Sequence, residues 1–345
     1  MNNYKFIFSV IVPTYNRADE IIELLDSLET QTISQNDFEV IVVDDGSTDD
    51  TENIISNYIS NQKINISFIK QDHKGPGEAR NLGMQKAQGK YYLFIDSDCI
   101  ADKEWLSSYK SAVQGIDPAG FGGPDKVLPN FSPVQKAIDY SMTSFITTGG
   151  IRGSSKKKIS KYYPRSFNMG VRADIVDKIG GMGKLRHGQD IEFSNRILST
   201  GEQVIKVDSA VVYHKRRMSI KKFFKQVFNW GVARINLYKI DKKMLEPVHF
   251  FPALGTIISL SVLILTIILP HIFGWFIIIG FSALLLLAFH GILKYKDVRV
   301  FPYIPIIVPT QIFGYGLGFI LAFTRRIIFK KDEFTGFVKK YYKWL

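Results

Sequence analysis

YYLFIDSD, residues 91–98, runs an apolar stretch straight into two carboxylates one residue apart, Asp96 and Asp98. A buried strand over 91–95 delivers both acids to the carboxyl edge of a sheet, where open α/β sheets bind their ligands. Such oxygens suit a hard cation, and magnesium-type ions usually take one or two carboxylates together with substrate phosphates. On its own the stretch reads first as an acidic turn that ends a strand. Its surroundings decide otherwise.

Upstream, an apolar strand followed by a helical stretch recurs: 8–12 then 18–28, 40–43 then 50–60, and 66–69 then 77–87. Continuous apolar runs alternating with helices predict an α/β fold with a mostly parallel sheet covered on both faces. Each strand ends in polar residues: Pro13-Thr14-Tyr15-Asn16-Arg17, then Asp44-Asp45-Gly46-Ser47, then Asp96-Ser97-Asp98. Three polar clusters on one sheet edge describe a site for an anionic, hydrogen-bond-rich ligand. No GxGxxG follows the first strand and no GxxxxGK(S/T) loop exists. A dinucleotide oxidoreductase and the usual ATPase or GTPase are thereby set aside.

Four motifs stand in order: SVIVPTYNR (9–17), VVDDGSTDDT (42–51), GEARNLG (77–83) and DSD (96–98). By these the chain resembles the inverting glycosyltransferases of family 2, which have a nucleotide-sugar-binding fold of the GT-A type. The likeness covers roughly residues 5–215. It implies a nucleotide-sugar site formed by Pro13, Thr14, Tyr15, Asn16, Arg17, Asp44, Asp45, Arg80, Asn81, Asp96 and Asp98. Thr14 and Tyr15 would line the nucleotide pocket, and Asp45 would accept the N–H of a uracil-like base. Asp44 and Asp45 have a plainer alternative, capping the helix that follows. Arg80 would meet phosphate or steady the acidic cluster, since a guanidinium forks well onto both. Asp98 would bind a divalent metal, magnesium or manganese, directly. Asp96 would reach the ribose, or the metal through water. A cation bridging both phosphates would stabilise the departing nucleoside diphosphate as a Lewis acid. Uridine is the default base by resemblance.

His187-Gly188-Gln189-Asp190-Ile191-Glu192 resembles the acidic acceptor-side motif of the same family, and Asp190 falls on the general base. Gln189 departs from the Glu usual there, which bears on the acceptor pocket more than on the base. A carboxylate at a helix N-terminus is also stabilised by about 0.3–1 kcal/mol without any catalytic role. A well-placed base contributes about 10²–10⁴-fold in rate. One-step attack opposite the leaving diphosphate would invert the anomeric centre. Asn168 matches a strand-edge position and reads equally as a sugar contact or a core hydrogen bond. His214, at the end of an apolar strand, reads as a diphosphate or metal contact or as a plain capping residue; Lys215, Arg216 and Arg217 follow it. Lys156, Lys157, Lys158 and Lys161 read as a solvated loop, with attraction to an acidic membrane the alternative. The single cysteine, Cys99, forms no intramolecular disulfide by itself.

The last third changes character. Residues 252–269 and 272–293 are apolar stretches long enough to cross about 30 Å of hydrocarbon. The short turn between them predicts a hairpin. No signal peptide is read before the first motif strand. Lys239, Lys242 and Lys243 precede the first span and Lys294, Lys296 and Arg299 follow the second, so the catalytic region is expected in the cytoplasm, on the inner face of the cell membrane. A third apolar stretch, 303–323, carries Pro305, Pro309, Gly314, Gly316 and Gly318, poor for a straight helix. It is expected to be re-entrant or interfacial, leaving the C-terminus cytoplasmic, with spanning as the alternative. Residues 219–238 follow helical spacing with interspersed lysines and read as an amphipathic helix along the bilayer.

The expected organisation is a catalytic domain over 1–215, with a nucleotide-binding half to about 100 and an acceptor half after it. An interfacial helix over 216–245 and a membrane domain over 246–345 follow. The formal charge of +12 suits anionic lipid and nucleotide diphosphate, and no nucleic-acid motif accompanies it. The leading reading is a membrane-anchored enzyme moving sugar from a nucleotide donor to a hydroxyl of a lipid-linked saccharide. An enzyme loading polyprenyl phosphate is second. A phosphate acceptor needs no base, so Asp190 argues against it. A processive polysaccharide synthase is third. Gln226-Val227-Phe228-Asn229-Trp230 echoes the QxxRW signature with Asn in place of Arg, and at most three spans are few for a polymer channel. A catalytically dead scaffold fits poorly with intact Asp45, Asp98 and Asp190.

Overall fold

The computed structural model describes residues 4–60, 64–126, 131–148, 162–214 and 219–337. Lys156, Lys157, Lys158, Lys161, Lys215, Arg216 and Arg217, singled out above, lie outside the described residues.

Strand and helix alternate through β1 (Phe6–Thr14), α1 (Ala18–Glu29), β2 (Phe38–Asp44), α2 (Thr51–Ile59), β3 (Ile66–Lys70), α3 (Pro76–Lys86) and β4 (Gly89–Phe94). The four strands pair in parallel in the order β3-β2-β1-β4. β2 is buried along its whole length and β1 nearly so, as unbroken apolar runs require. Alternate residues feed opposite faces. Phe8, Val10 and Val12 meet Leu24, Leu28, Trp105 and Tyr109, whereas Ile11 joins Phe94, Met169, Val171 and Phe193.

The acceptor half continues with β5 (Cys99–Ala101), α4 (Trp105–Val113), β6 (Gly120–Gly122), β7 (Asp125–Lys126), α5 (Pro133–Thr143) and α6 (Phe145–Thr148). After these come β8 (Met169–Arg172), α7 (Ala173–Ile179), α8 (Gln189–Ser199), β9 (Val204–Lys206) and β10 (Val212–His214). β8 runs antiparallel to β4 and β6, extending the sheet to the order β3-β2-β1-β4-β8-β6-β9. A second, small sheet, β5-β10-β7, sits over the carboxyl edge of β4.

The rest is helical: α9 (Ile220–Ile240), α10 (Phe251–Ile268), α11 (Pro270–Tyr295) and α12 (Ile304–Phe323). α10 and α11 form the expected hairpin, joined at Leu269, with Pro270 in the first turn, where a missing N–H costs nothing. Both are exposed for most of their length. Three segments, Pro247–Ile268, Pro270–Tyr295 and Ile304–Ile328, are long and apolar enough to cross a membrane.

Two expectations change here. The third apolar stretch is one continuous helix, not a broken one. Pro305 falls in its first turn, Pro309 is carried inside the helix without ending it, and the glycines are packing surfaces rather than breaks. A Cβ on Gly318 would lie 2.1 Å from the Phe228 carbonyl oxygen, and one on Gly231 would lie 2.1 Å from that of Tyr315. Gly316, on the other face, lets Pro252 and Thr256 of α10 approach. For the same reason α9 does not present a free apolar stripe. Phe223 and Val227 are buried with α5, α11 and α12, and Phe228, Val232 and Ile235 with α10 and α12, leaving Lys221, Lys222, Lys225 and Lys239 outside.

Both ends of the α12 region touch the catalytic domain. Ile304, Ile307 and Val308 share a core with Ala137, Ile138 and Tyr140 of α5. Past the helix, the Thr335 carbonyl meets His187 Nε2 at 3.1 Å. Asn229, where the QxxRW signature has Arg, exchanges two hydrogen bonds with the Phe337 backbone at 2.8 and 3.0 Å.

Candidate active site

The DSD turn leaves β4 and enters β5 at Cys99. Because β5 pairs antiparallel with β10, with Cys99 opposite His214, a residue far along the chain arrives beside Asp98. His214 Nε2 lies 3.3 Å from Asp98 Oδ1, and the Arg17 guanidinium lies 3.5 Å from Asp98 Oδ2. Donor atoms of Asp98, Cys99 and His214 lie within 4.8 Å of one another. Burial, helped by Asp98, Asp96 and Asp125, pushes the Cys99 thiol well above its ordinary range, and a hard divalent ion prefers the carboxylate and the imidazole to sulfur. One carboxylate and one imidazole remain. That set fits a divalent ion which completes its shell with phosphate oxygens and water, and manganese suits it as well as magnesium. Asp96 pairs with Arg80, which is buried on α3 and also donates to the Pro76 carbonyl at 3.2 Å. Of the two roles open to Arg80, this contact is the one that steadies the acidic cluster.

At the other end of the edge, neither Asp44 nor Asp45 caps α2, whose cap position is Asp50. Asp44 is buried and takes the Ser47 hydroxyl and backbone N–H. Burial raises its pKa, and the Ser47 bonds oppose that rise. Asp45 accepts from Gln71 Nε2 at 2.7 Å, Lys74 N at 2.8 Å and Gly75 N at 2.9 Å, and His73 Nδ1 lies 2.9 Å from its second oxygen. Its oxygens hold the 71–75 loop, so the expected direct contact with a base N–H has little acceptor capacity left. His73 stacks on Tyr15 with ring centroids 4.1 Å apart. A cleft of about 650 Å³ opens beside them, lined by Gly46, Ser47 and residues 70–74. Pro13 and Thr14 close β1 next to this edge, and the Thr14 hydroxyl is buried without a hydrogen-bond partner among the described residues. Asn16, at φ 51°, ties the two loops together: its Oδ1 accepts Thr48 N and its N–H meets Ser47 Oγ, both at 2.8 Å.

Two expected contacts lie elsewhere. Asn81 gives its whole side-chain amide to the Met182 backbone, at 2.7 and 3.1 Å, fastening α3 to the loop before α8. Asn168 is fully buried. It accepts from Trp105 and Tyr109 and donates to the Pro124 and Ala210 carbonyls, which makes it the core hydrogen bond rather than the sugar contact.

Asp190 stands in the first turn of α8, after Gly188 at φ 82°. Arg165 Nη1 lies 3.3 Å from its Oδ2. Gln189 donates to the Gly183 carbonyl and presses on α3, where a Cβ on Gly77 would lie 2.0 Å from Gln189 Nε2. The Gln at this position is thus a brace between the acceptor motif and the donor half. Arg165 and His73 stand outside the residues expected from the sequence. His73 belongs to the polar cluster Gln71-Asp72-His73-Lys74 that ends the third strand, the same signal as at the other strands.

The family profile described as Glycosyl transferase family 2 matches residues 9–180. Glycosyltransferase AglE of Haloferax volcanii is 28% identical over 243 residues, 70% of this chain and 77% of AglE. The poly(ribitol-phosphate) beta-N-acetylglucosaminyltransferase TarS of Staphylococcus aureus is 44% identical over 110 residues, 32% of this chain and 19% of TarS; the chain thus spans about a fifth of that relative's length. Among solved structures, the mannosyltransferase PcManGT of Pyrobaculum calidifontis, in complex with GDP-Man and Mn2+, superposes with a TM-score of 0.68 at 17% identity. That match covers 95% of this chain and 89% of the other, and at this identity it is a likeness of fold.

Proposed function

Because residues 9–180 are a glycosyl transferase family 2 domain, we propose that the chain transfers a sugar, with inversion, from a nucleoside diphosphate donor to a hydroxyl of a lipid-linked saccharide. The observation that carries this reading is the pairing of β5 with β10. It sets Asp98 and His214 3.3 Å apart at the carboxyl edge, with Arg17 alongside. Asp98 and His214 would hold a divalent ion, and Asp96 would reach it through water. When bound, that ion would supply Lewis-acid stabilisation to the departing diphosphate. Arg17 adds a guanidinium on the same flank. Tyr15 and His73 offer stacked rings to the base, within a loop shaped by Asp45. Asp190 takes the proton of the acceptor hydroxyl.

Membrane anchoring is part of the same proposal. The α10–α11 hairpin crosses the bilayer, and α12 lies against its near ends. The catalytic domain and the C-terminal segment both stay on the cytoplasmic side. The His187–Thr335 contact supports the shared side, and the lysines flanking the hairpin support the orientation. The test is a screen of UDP-, GDP- and dTDP-sugars against purified full-length protein, with and without Mn2+ or Mg2+. Metal-dependent release of nucleotide from one donor, lost in Asp98→Ala, is the expected result. No release from any donor would overturn the reading.

A further inference from the structure

The catalytic domain meets the membrane hairpin through α5. Lys136 Nζ lies 2.8 Å from Asp297 Oδ2, and the Tyr295 hydroxyl donates to Asp139 Oδ2 at 2.5 Å. Tyr140 Oη lies 2.8 Å from His290 Nδ1, and Lys294 Nζ donates to Thr143 Oγ1 at 3.1 Å. These contacts hold α5 level with residues 290–297, the end of α11 and the turn after it. α6 follows Ser144 and folds back on α5. Thr147 Oγ1 donates to the Tyr140 carbonyl at 3.3 Å and to the Ser144 carbonyl at 3.0 Å. It therefore stays beside Tyr140, at the height of His290.

That height is the edge of the apolar span. His290 lies three residues inside the end of the apolar stretch at Leu293, a depth of about 4.5 Å at 1.5 Å per residue. The side chains around it are those of a membrane–water boundary. Lys294 sets its ammonium 5.7 Å from the Tyr140 ring centroid and 5.1 Å from that of Tyr295, a long cation and two tyrosines at one level. Phe289 and Leu293, the residues just before His290 and Lys294, are exposed, as on a helix facing lipid. α6 turns the same chemistry outward from the catalytic domain: Phe145 is 56% exposed and Ile146 62%. A single exposed apolar side chain such as Ile116 is ordinary. What sets this adjacent pair apart is where α5 holds it.

We propose that α6 dips into the leaflet on the catalytic side, with Phe145 and Ile146 among the acyl chains beside α11. The inference rests on reading the α10–α11 hairpin as membrane-spanning and adds a second point of contact, made by the catalytic domain itself. A hairpin alone leaves a domain free to tilt about its root. A second contact fixes the height and tilt of the active site over the headgroups.

Spin labels on full-length protein in phosphatidylcholine liposomes test this without donor or acceptor. Phe145→Cys, Ile146→Cys, Ile116→Cys and Ile267→Cys are labelled one at a time, and wild type, whose Cys99 is buried, gives the background. Each label is read for collision with oxygen, which concentrates among acyl chains, and with a water-soluble nickel chelate. The oxygen-to-nickel ratio at 145 and 146 should exceed that at 116 at least threefold and approach that at 267, an exposed position in α10. A ratio at both positions equal to that at 116 would overturn the proposal. Labels at both positions shielded from oxygen and nickel alike would also overturn it, since another part of this chain or a second copy would then cover α6. A label at 267 in water would sink the spanning hairpin itself, whereas 267 in lipid with 145 and 146 in water sinks only the role given to α6.

Discussion

Asp190→Asn removes a charge and keeps the side chain's size, so its effects on stability and turnover can be weighed apart. The carboxylate's ion pair with Arg165 is partly exposed, 22% and 23% for the two side chains. Such a pair is worth about 0–1 kcal/mol, and a charge in the first helical turn about 0.3–1 kcal/mol. The fold should therefore lose about 2 kcal/mol at most, a fall of a few degrees in melting temperature. A general base contributes about 10²–10⁴-fold, or roughly 2.7–5.4 kcal/mol of transition-state stabilisation. The larger number lands on turnover. With the donor and acceptor found by screening, kcat should fall at least 100-fold while donor KM stays within about twofold. A merely structural Asp190 would instead lower melting temperature and leave kcat nearly intact. Near-normal turnover in a well-folded variant would refute the base and favour a phosphate acceptor, already anionic, attacking unaided.

Three other outcomes follow from the geometry. His214→Ala should raise the Mn2+ concentration for half-maximal activity at least tenfold with little change in melting temperature, and EDTA should abolish turnover; activity indifferent to both would remove the metal site from the mechanism. Thr335→Cys should react with a membrane-impermeant maleimide only in inverted vesicles, because Thr335 meets His187 of the catalytic domain; the native Cys99 is buried and should stay silent, and labelling in right-side-out vesicles would place the C-terminal segment outside. Burial, with Arg186 adding to it, pushes His187 from its ordinary 6.5 down to about 4. The folded state is then the weaker proton binder, so this contribution is complete above pH 6.5 and is lost as pH falls toward about 4. Melting curves across that window should be flatter for His187→Gln, and an unchanged slope would dismiss the histidine.

The parallel half of the sheet was legible because burial on both faces writes itself as unbroken apolar runs, and the polar ends of those runs marked the binding edge. The hairpin was legible for the same reason on a larger scale. What escaped depends on contacts that leave no period in the chain. β5 and β10 are three residues each, too short for any alternation, yet their register alone brings His214 to Asp98. The glycines of α12 read as helix breakers because, in isolation, lost backbone entropy is all a glycine contributes. Set against the backbones of α9 and α10 they become the positions where close approach is possible. Arg234 follows the same logic in reverse. A cation in an apolar stripe lowers the quality of an amphipathic pattern, and the pattern was read past it. Once α12 covers that stripe, the guanidinium finds the Tyr315 hydroxyl and the opposite charge of Asp190, partners that no period in the chain records. The irregularities in an otherwise regular pattern, glycine and cation alike, are thus explained by the neighbours they meet in the folded chain and not by the helix that carries them.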